Sequence, residues 1–338
     1  MSVRGSAVSG GSAYCRRVLP RTIDWVDGRI VMVDQTALPD IRVVAVDTVD
    51  ELVDAIRRLV VRGAPALGVA GALGVALAVR TLSGPDRDAA IDRLAAARPT
   101  AVNLAVGVRR ALGASGDVLA AALAVRDEDI ASCHAIGDRG AGLLAELCGG
   151  GPLRLHTHCN AGALACVEWG TALGVVRSLH EAGRVAYVVA DETRPLLQGS
   201  RITAVELAEM GVPHRVVVDG AGPSIIARGL VDAVIVGADR VAANGDTANK
   251  IGSYPLALAA ARAGIPFLVA CPESTVDPAT PDGSAIVVEE RASEEVLVVG
   301  GTRMAPAASE AWNPAFDVTP ADLVTAVVTE RRVWRPGS

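Results

Sequence analysis

Residues 232–239 read Asp-Ala-Val-Ile-Val-Gly-Ala-Asp, an apolar run that ends in a glycine-containing turn and a carboxylate. A short run of this kind is typical of a strand that is buried on both faces. Comparable runs occupy 153–158, 185–190, 215–218, 266–270 and 285–288, and most of them precede a helical pattern. Strands that alternate with helices favour a doubly wound parallel sheet. In such a sheet we expect functional groups beyond the carboxyl ends of the strands.

The first half of the chain has a different pattern. Short alternating runs at 29–34 and 41–47 predict a small sheet, and residues 48–147 are mainly helical. Thr48 and Glu51 form a capping-box pattern ahead of a predicted helix at 52–60, and Pro65 suits the first turn of the next helix. Asp127-Glu-Asp129 is expected to open a helix that continues to Leu147. We therefore predict a disordered leader (1–15), an N-terminal domain (16–148) and a parallel-sheet domain (149–338), with the boundary at Gly149-Gly-Gly151, although that triplet suits a simple loop too.

Composition narrows the class of partner. The formal net charge of −6 argues against nucleic acid or an anionic membrane as the main partner. The start of the chain lacks the apolar core of a secretory signal, and the six cysteines form no CxxC motif. These features predict a cytoplasmic protein with reduced thiols. Residues 63–79 are apolar, but their length and their Pro65 favour a buried helix over a membrane span.

Two residues at predicted strand ends carry reactive groups. Cys159 follows one strand and precedes a helix expected to begin near Ala161, where a helix N-terminus would lower the pKa of the thiol. Asp239 follows another strand, and partial burial there would raise the pKa of its carboxyl and suit it to general acid catalysis. Each has a structural alternative: Cys159 as a small packing residue, and Asp239 as a loop cap or a partner of Arg240.

Two further groups of residues suggest ligands. His156 and His158 lie on one face of a strand beside Cys159, which suits a zinc site in part, but the other histidines lack ligand spacing, so we expect no metal. Arg62, Gly63 and Ala64 precede a predicted helix start, and Arg98 precedes another, which are positions that favour a phosphate. Lys250 is the one lysine among 32 cationic side chains, and chance is the alternative to a functional reason.

An ordered set of motifs gives the chain a resemblance. The segments are VRGAPA (61–66), ARPTAVN (97–103), THCNAGALA (157–165), DETRPLLQG (191–199), GADRVAANGD (237–246), ANKIG (248–252) and WNPAFDVTP (312–320). In these segments the chain resembles the 5-methylthioribose-1-phosphate isomerases of methionine salvage. That family shares its fold with ribose-1,5-bisphosphate isomerases and with regulatory subunits of a translation-initiation exchange factor.

The resemblance implies an α/β fold with an N-terminal mainly helical domain and small β-sheet, followed by a Rossmann-like domain. It implies a homodimer without a cofactor, acting on a small-molecule sugar 1-phosphate. The implied catalytic pair is Cys159 and Asp239. The implied substrate-binding residues are Arg62, Gly63, Ala64, Arg98, Gln198, Asn249 and Lys250.

The chain departs from the family pattern at Ala105-Val-Gly107, where bulky aromatics are usual, and at Asp219-Gly-Ala-Gly222. If either segment lines the pocket for the 5-substituent, the substrate differs while the reaction stays the same. Alternatives are therefore the 1-phosphates of 5-deoxyribose or 5-fluoro-5-deoxyribose. A non-catalytic regulatory subunit that binds a sugar phosphate or a nucleotide is a further alternative, and the retained Cys159 and Asp239 argue against it.

Overall fold

The structure is a computed structural model and describes residues 19–99 and 101–336. The predicted leader at 1–15 lies outside these residues. The helices are α1 (Val49–Arg57), α2 (Ala64–Thr81), α3 (Gly84–Ala95), α4 (Val102–Leu112), α5 (Val118–Cys148), α6 (Ala172–Glu181), α7 (Ala204–Glu209), α8 (Gly222–Ala227), α9 (Ser253–Ala263) and α10 (Glu294–Leu297).

The strands are numbered along the chain. They are β1 (Ile23–Val26), β2 (Arg29–Val33), β3 (Val43–Val46), β4 (Leu153–Thr157), β5 (Val185–Asp191), β6 (His214–Val217), β7 (Ala233–Val236), β8 (Arg240–Ala242), β9 (Thr247–Lys250), β10 (Phe267–Ala270), β11 (Val276–Asp277), β12 (Val298–Val299), β13 (Thr302–Arg303), β14 (Phe316–Thr319), β15 (Ala326–Val328) and β16 (Val333–Trp334). The predicted α/β fold class is confirmed.

The N-terminal part is a small sheet packed on helices. Strands β1, β2 and β3 form an antiparallel sheet, as their alternating pattern predicts. The Thr48 side chain accepts a hydrogen bond from the Glu51 backbone at 3.2 Å, and the Glu51 carboxylate accepts from the Thr48 backbone at 3.0 Å. This capping box starts α1 at Val49, three residues before the predicted start. Helix α1 then ends at Arg57, ahead of Leu59, which has a φ of +63°.

Helix α2 is the central helix of this part. It is long and apolar enough to span a membrane by composition, and 67% of its 18 residues are buried against the rest of the structure. It packs closely on α4, where Gly107 faces the backbone of Gly68. The prediction of a buried helix is confirmed.

Helix α5 begins earlier than predicted, at Val118. Asp117 caps its N-terminus, and the helix runs unbroken past Asp127–Asp129, which the sequence suggested as its beginning. Its first half contributes Val125 to the core around α2, while its second half contributes Ile136 and Leu144 to the core under the large sheet. The predicted domain boundary falls at the end of this shared helix and stays a prediction.

The second half is built on a seven-stranded sheet. Its order is β16-β15-β10-β7-β4-β5-β6, and neighbouring strands are parallel except β15 and β16. Without the edge strand β16, this is the 3-2-1-4-5-6 order of the Rossmann fold, with β4 as the first strand. Along β7, Ala233 and Ile235 face the core beneath α5 and α6, while Val234 and Val236 face the core beneath α9. Burial on both faces explains why the run is continuously apolar.

Two features of the second half of the chain were not predicted correctly. Residues 285–288 were expected to form a strand, but Ala285 ends a short 3₁₀ turn that begins at Gly283, and the residues after it pair with no sheet in the described ranges. A second, four-stranded sheet of order β11-β8-β9-β14 was missed. It stands beyond the carboxyl end of β7 and carries Asn249 and Lys250 on β9.

Candidate active site

The site begins where the strand order of the large sheet reverses. Strands β4 and β7 are parallel neighbours, and the chain leaves them in opposite directions across the sheet. Cys159 follows β4 and Asp239 follows β7. A Cβ at Gly237 would lie 2.8 Å from the Ala161 Cβ, so the two turns touch. Cys159 and Asp239 therefore flank the switch point, the usual ligand site of a doubly wound sheet.

Cys159 is held by its backbone rather than by a helix. Its φ is +60°, its N–H donates to Thr193 Oγ1 at 2.9 Å, and its carbonyl accepts from Thr203 Oγ1 at 2.6 Å. A non-glycine residue at positive φ persists only where its surroundings hold it, and such residues concentrate at active sites.

The expected helix near Ala161 is wrong. A three-residue 3₁₀ turn begins at Ala163 instead, and α6 starts at Ala172. A helix dipole therefore does not lower the pKa of the Cys159 thiol. Burial raises that pKa, and the positive charges of Arg62 and Lys250 oppose the increase.

Asp239 lies in the turn between β7 and β8. Its side chain is exposed at its surface, while protein surrounds it at longer range. This surrounding burial raises the pKa of its carboxyl, and Lys250 and Arg62 oppose the increase. The direction agrees with the sequence prediction. The alternative partner, Arg240, instead binds Asp277 at 2.6 Å.

No carboxylate of the described residues is bonded to the Arg62 guanidinium. Its guanidinium donates to the Asn160 side-chain carbonyl, and its Nε has no hydrogen-bond partner among the described residues. Burial lowers the pKa of this guanidinium, and the charges of Cys159 and Glu206 oppose the decrease. A buried cation without a bonded counter-ion favours the binding of an anion.

The neighbours of Arg62 extend this anion-binding region. Gly63 has a φ of +94° and precedes α2, whose N-terminus begins with Ala64. Arg98 makes no ion pair among the described residues, and burial together with the nearby charges of Arg291 and Arg62 lowers its pKa. A helix N-terminus and two cations form a suitable environment for a phosphate.

Lys250 lies at the end of β9, close enough to Cys159 for its charge to act on the thiol. Its Nζ donates to the Ala315 carbonyl at 2.7 Å and lies 4.4 Å from the centre of the Phe316 ring. Asn249 is buried and donates to Ser253 Oγ at 2.8 Å. Gln198 lies on the loop before a π-helical turn at Gly199–Thr203, and its buried Oε1 has no partner among the described residues.

The predicted residues differ in how closely the structure groups them. The charges of Arg62, Lys250 and Asp239 each act on Cys159, and those of Arg62 and Lys250 also act on Asp239, so these four side chains lie near one another. In the described part of the chain, no side-chain hydrogen bond or ion pair joins Gln198, Ala64 or Asn249 to this group, although Asn249 directly precedes Lys250 on β9.

Sequence reasoning missed two supporting residues. Glu206 is buried on α7 and accepts from Asn160 Nδ2 at 2.8 Å and from the Ala163 N–H at 2.6 Å. It thereby holds Asn160, the partner of Arg62. Arg291 lies near Arg98 and binds Glu295 at 2.8 Å. Both act through contacts distant in sequence, so no local pattern marks them.

The two strand histidines share a carboxylate. His156 Nε2 lies 2.9 Å from one oxygen of Asp191, and His158 Nδ1 lies 2.8 Å from the other. Arg194, the cation nearest to Asp191 in sequence, does not pair with it and instead donates to backbone carbonyls such as that of Val296.

Comparison with known proteins places this geometry in context. The model of the initiation factor 2 subunit family matches residues 60–336. Methylthioribose-1-phosphate isomerase of Anaeromyxobacter dehalogenans is 56% identical over 310 residues, 90% of each chain. A Nocardia farcinica protein described as a probable bifunctional methylthioribose-1-phosphate isomerase/methylthioribulose-1-phosphate dehydratase is 54% identical over 92% of this chain. The chain spans 58% of the length of that bifunctional protein.

A relative with a different substrate and two solved structures extend the comparison. 5-Deoxyribose 1-phosphate isomerase of Moorella thermoacetica is 47% identical over 93% of this chain and 94% of that protein. The crystal structure of 5-methylthioribose 1-phosphate isomerase from Pyrococcus horikoshii matches with a TM-score of 0.88 and 39% identity, over 94% of this chain and 93% of that one. A structure from A. fulgidus, described as translation initiation factor eIF-2B subunit delta, matches with a TM-score of 0.86 and 42% identity, over 94% and 96%.

Proposed function

The chain belongs to the initiation factor 2 subunit family, and from its similarity to the isomerases of that family we propose that it converts 5-methylthioribose 1-phosphate to 5-methylthioribulose 1-phosphate. The reaction is an aldose–ketose isomerisation within methionine salvage. One observation carries the proposal: Arg62, whose guanidinium binds no carboxylate among the described residues, lies close enough to the titratable pair Cys159 and Asp239 for their charges to act on it, and Arg98 lies close to Arg62 in turn.

The chemistry explains why such a pair is needed. A sugar 1-phosphate has no free aldehyde, so the ring must open before hydrogen moves from C2 to C1. One group protonates the ring oxygen as the C1–O bond breaks, and another takes the proton from the C2 hydroxyl or from C2. The raised pKa of the Asp239 carboxyl, caused by burial, favours Asp239 as the proton donor. Cys159 is then the acceptor; burial raises the pKa of its thiol, and the charges of Arg62 and Lys250 oppose this increase and favour the thiolate.

The substrate-binding residues of the proposal surround this pair. Arg62, Gly63 and Ala64 bind the phosphate at the N-terminus of α2, and Arg98 adds charge. Lys250 and Asn249 approach the sugar from β9, and Gln198 from the loop after β5. The unpartnered Arg62 Nε and Gln198 Oε1 support these roles, since buried polar groups normally have a hydrogen-bond partner.

A second candidate keeps the reaction and changes the sugar. The Moorella thermoacetica relative carries the name 5-deoxyribose 1-phosphate isomerase, and its identity to this chain is 47%. This supports the 1-phosphates of 5-deoxyribose and 5-fluoro-5-deoxyribose as alternatives. A ranking of kcat/KM for the three sugar 1-phosphates decides between them.

Assembly and location complete the proposal. We propose a cytoplasmic homodimer that uses no cofactor or metal and binds neither nucleic acid nor membrane. We also propose a division into an N-terminal domain at 16–148 and a catalytic domain at 149–338. The family resemblance supports the dimer, and the net charge of −6 supports the absence of nucleic acid as a partner. Analytical ultracentrifugation of the purified protein tests the oligomeric state.

Two substitutions test the catalytic pair. Cys159→Ala and Asp239→Asn should each lower kcat by about 10²–10⁴, the usual contribution of a positioned acid or base. Cys148→Ala is the control, because its half-buried thiol lies at the end of α5 near Asp232 and outside the site. Unchanged turnover in both site variants would falsify the assignment. Turnover in heavy water then tests the hydrogen path: deuterium at C1 of the product rules out a purely direct hydride shift.

A further inference from the structure

His158 makes two hydrogen bonds that join the two sheets of the active site. Its Nδ1 lies 2.8 Å from Asp191 Oδ2, and its Nε2 lies 2.8 Å from the carbonyl oxygen of Ile251. The side chain of His158 has no solvent exposure, and that of Asp191 is 1% exposed. His158 comes directly before Cys159, and Ile251 directly after Lys250. One imidazole ring therefore ties the strand end that carries the thiol to the turn that follows the ammonium group.

The partners of the ring define its protonation. A carbonyl oxygen only accepts hydrogen bonds, and so does an ionised carboxylate, so both ring nitrogens must donate. His158 is therefore an imidazolium. The direction of its pKa agrees: burial lowers the pKa, but Asp191, Asp219 and the Ile251 carbonyl together raise it by more, so the net change is upward. Asp219 and Asp317 also face the ring and favour its charged form.

Close packing fixes the ring in this position. Gly252 has a φ of +110°, and a Cβ there would lie 2.6 Å from the His158 ring. The Gly252 N–H donates to Asp317 on β14 at 2.7 Å, so the turn is held from its other side as well. The ring and the turn cannot shift independently without loss of these contacts.

We propose that His158 is a positioning residue, which clamps the Ile251 carbonyl and thereby fixes Lys250 relative to Cys159. The role in turnover rests on the proposed isomerase function, whereas the clamp itself does not. His158 touches neither the substrate nor the reacting atoms in this role. It sets the spacing between two groups that do.

His156 provides a matched control. It is equally buried and lies on β4, two residues before His158, and its Nε2 binds the same carboxylate at 2.9 Å. An asparagine amide nitrogen occupies the place of Nδ1, and a glutamine amide nitrogen that of Nε2. His158→Asn therefore keeps the hydrogen bond to Asp191 and loses the one to the Ile251 carbonyl. His156→Asn loses its own hydrogen bond from Nε2 to Asp191 but has no contact with the turn after Lys250 to lose. His158→Gln keeps the bond to Ile251.

Turnover provides the first test. His158→Asn should lower kcat by about 10–100-fold, because a misplacement near 1 Å has an effect of that order. KM should change by less than about threefold, since Arg62 and Arg98 still bind the phosphate. His156→Asn should keep kcat within about threefold of wild type, and His158→Gln should recover most of the loss. A kcat in His158→Asn equal to that in His156→Asn overturns the positioning role.

Amide hydrogen exchange at residues 251–254 provides a test independent of activity. Exchange should quicken in His158→Asn and not in His156→Asn, and equal rates in the two variants overturn the clamp. If the wild-type protein converts no sugar 1-phosphate, the proposed function fails while this comparison still decides the clamp. Should His158→Asn not fold, Gly252→Ala displaces the ring from the other side. Wild-type exchange and kcat in that variant would then refute the proposal.

Discussion

Replacement of Gly63 by alanine tests how the first turn of α2 is held against the segment after Cys159. A Cβ at Gly63 would lie 2.2 Å from the carbonyl oxygen and 2.5 Å from the Cα of Ala165. Since ordinary contact begins at 3.4 Å, the two backbones must separate by 3.4 − 2.2 = 1.2 Å. The φ of +94° adds strain of about 1–3 kcal/mol for any residue with a Cβ.

The displacement acts directly on catalysis. Arg62 precedes Gly63, and its partner Asn160 follows Cys159. A misplacement of about 1 Å lowers rates by about 100-fold, which corresponds to about 2.7 kcal/mol of activation free energy. We expect kcat/KM for 5-methylthioribose 1-phosphate to fall by that factor in Gly63→Ala.

A second glycine at positive φ, Gly183, serves as a control that separates the effect of backbone strain from that of the steric clash with Ala165. Gly183 has a φ of +70°, and a Cβ there would meet nothing within 4 Å. Gly183→Ala should lose about 1–2 kcal/mol of stability and keep its kcat/KM. Steady-state kinetics and thermal unfolding of both variants make the comparison. A Gly63→Ala enzyme with kcat/KM within about twofold of wild type would show that the turn is not held as described.

Three further substitutions test other parts of the structure. Lys250→Arg should lower kcat/KM by about tenfold or more, because a planar guanidinium cannot replace the compact ammonium above Phe316; wild-type kinetics would contradict this. Burial raises the pKa of the Asp129 carboxyl to about 7 from 3.8, so the folded protein holds this proton more tightly than the unfolded chain does. The resulting stabilisation of the folded state is complete below about pH 4 and is lost as the pH rises to 7. Asp129→Asn should therefore gain stability relative to wild type over that range, by at most about 4 kcal/mol, and a difference independent of pH in denaturant unfolding would refute this. Gly107→Ala should lower the free energy of unfolding by about 1–3 kcal/mol, because a Cβ there would lie 1.8 Å from the Gly68 carbonyl oxygen, and an unchanged unfolding temperature would count against the packing described.

Local sequence signals predicted the elements whose causes are local. The Thr48–Glu51 capping box and Pro65 mark helix starts because the stabilising contacts lie within one turn of the chain. The runs at β4, β5, β7 and β10 mark buried strands because a strand covered on both faces must be apolar throughout. Cys159 and Asp239 follow two of those strands, so the sequence indicated both residues of the proposed pair.

The failures at the candidate site have a common physical cause, which is that the deciding contacts are distant along the chain. The backbone of Cys159 is fixed by hydroxyl groups of Thr193 and Thr203, 34 and 44 residues away, rather than by a helix at Ala161. Glu206 supports Asn160 from 46 residues away. The pKa of the Cys159 thiol consequently reflects burial against nearby cations, and its direction could not be predicted from position after a strand.

The departures from the family pattern gain a different interpretation from the structure. Gly107 is required by the close approach of α4 to α2. At Gly222, a Cβ would lie 2.6 Å from a Leu256 methyl group and 3.3 Å from the His156 ring, so this glycine is also a packing position. Neither glycine needs a remodelled substrate pocket as its explanation. Ala105 and Val106 are partly exposed on α4, and a Cβ at Gly220 would meet nothing within 4 Å, so these departing positions are not fixed by packing in the same way. If a departure acts on the 5-substituent, a larger side chain at one of these three positions should alter the ranking of the three sugar 1-phosphates, whereas changes at Gly107 and Gly222 should act through stability.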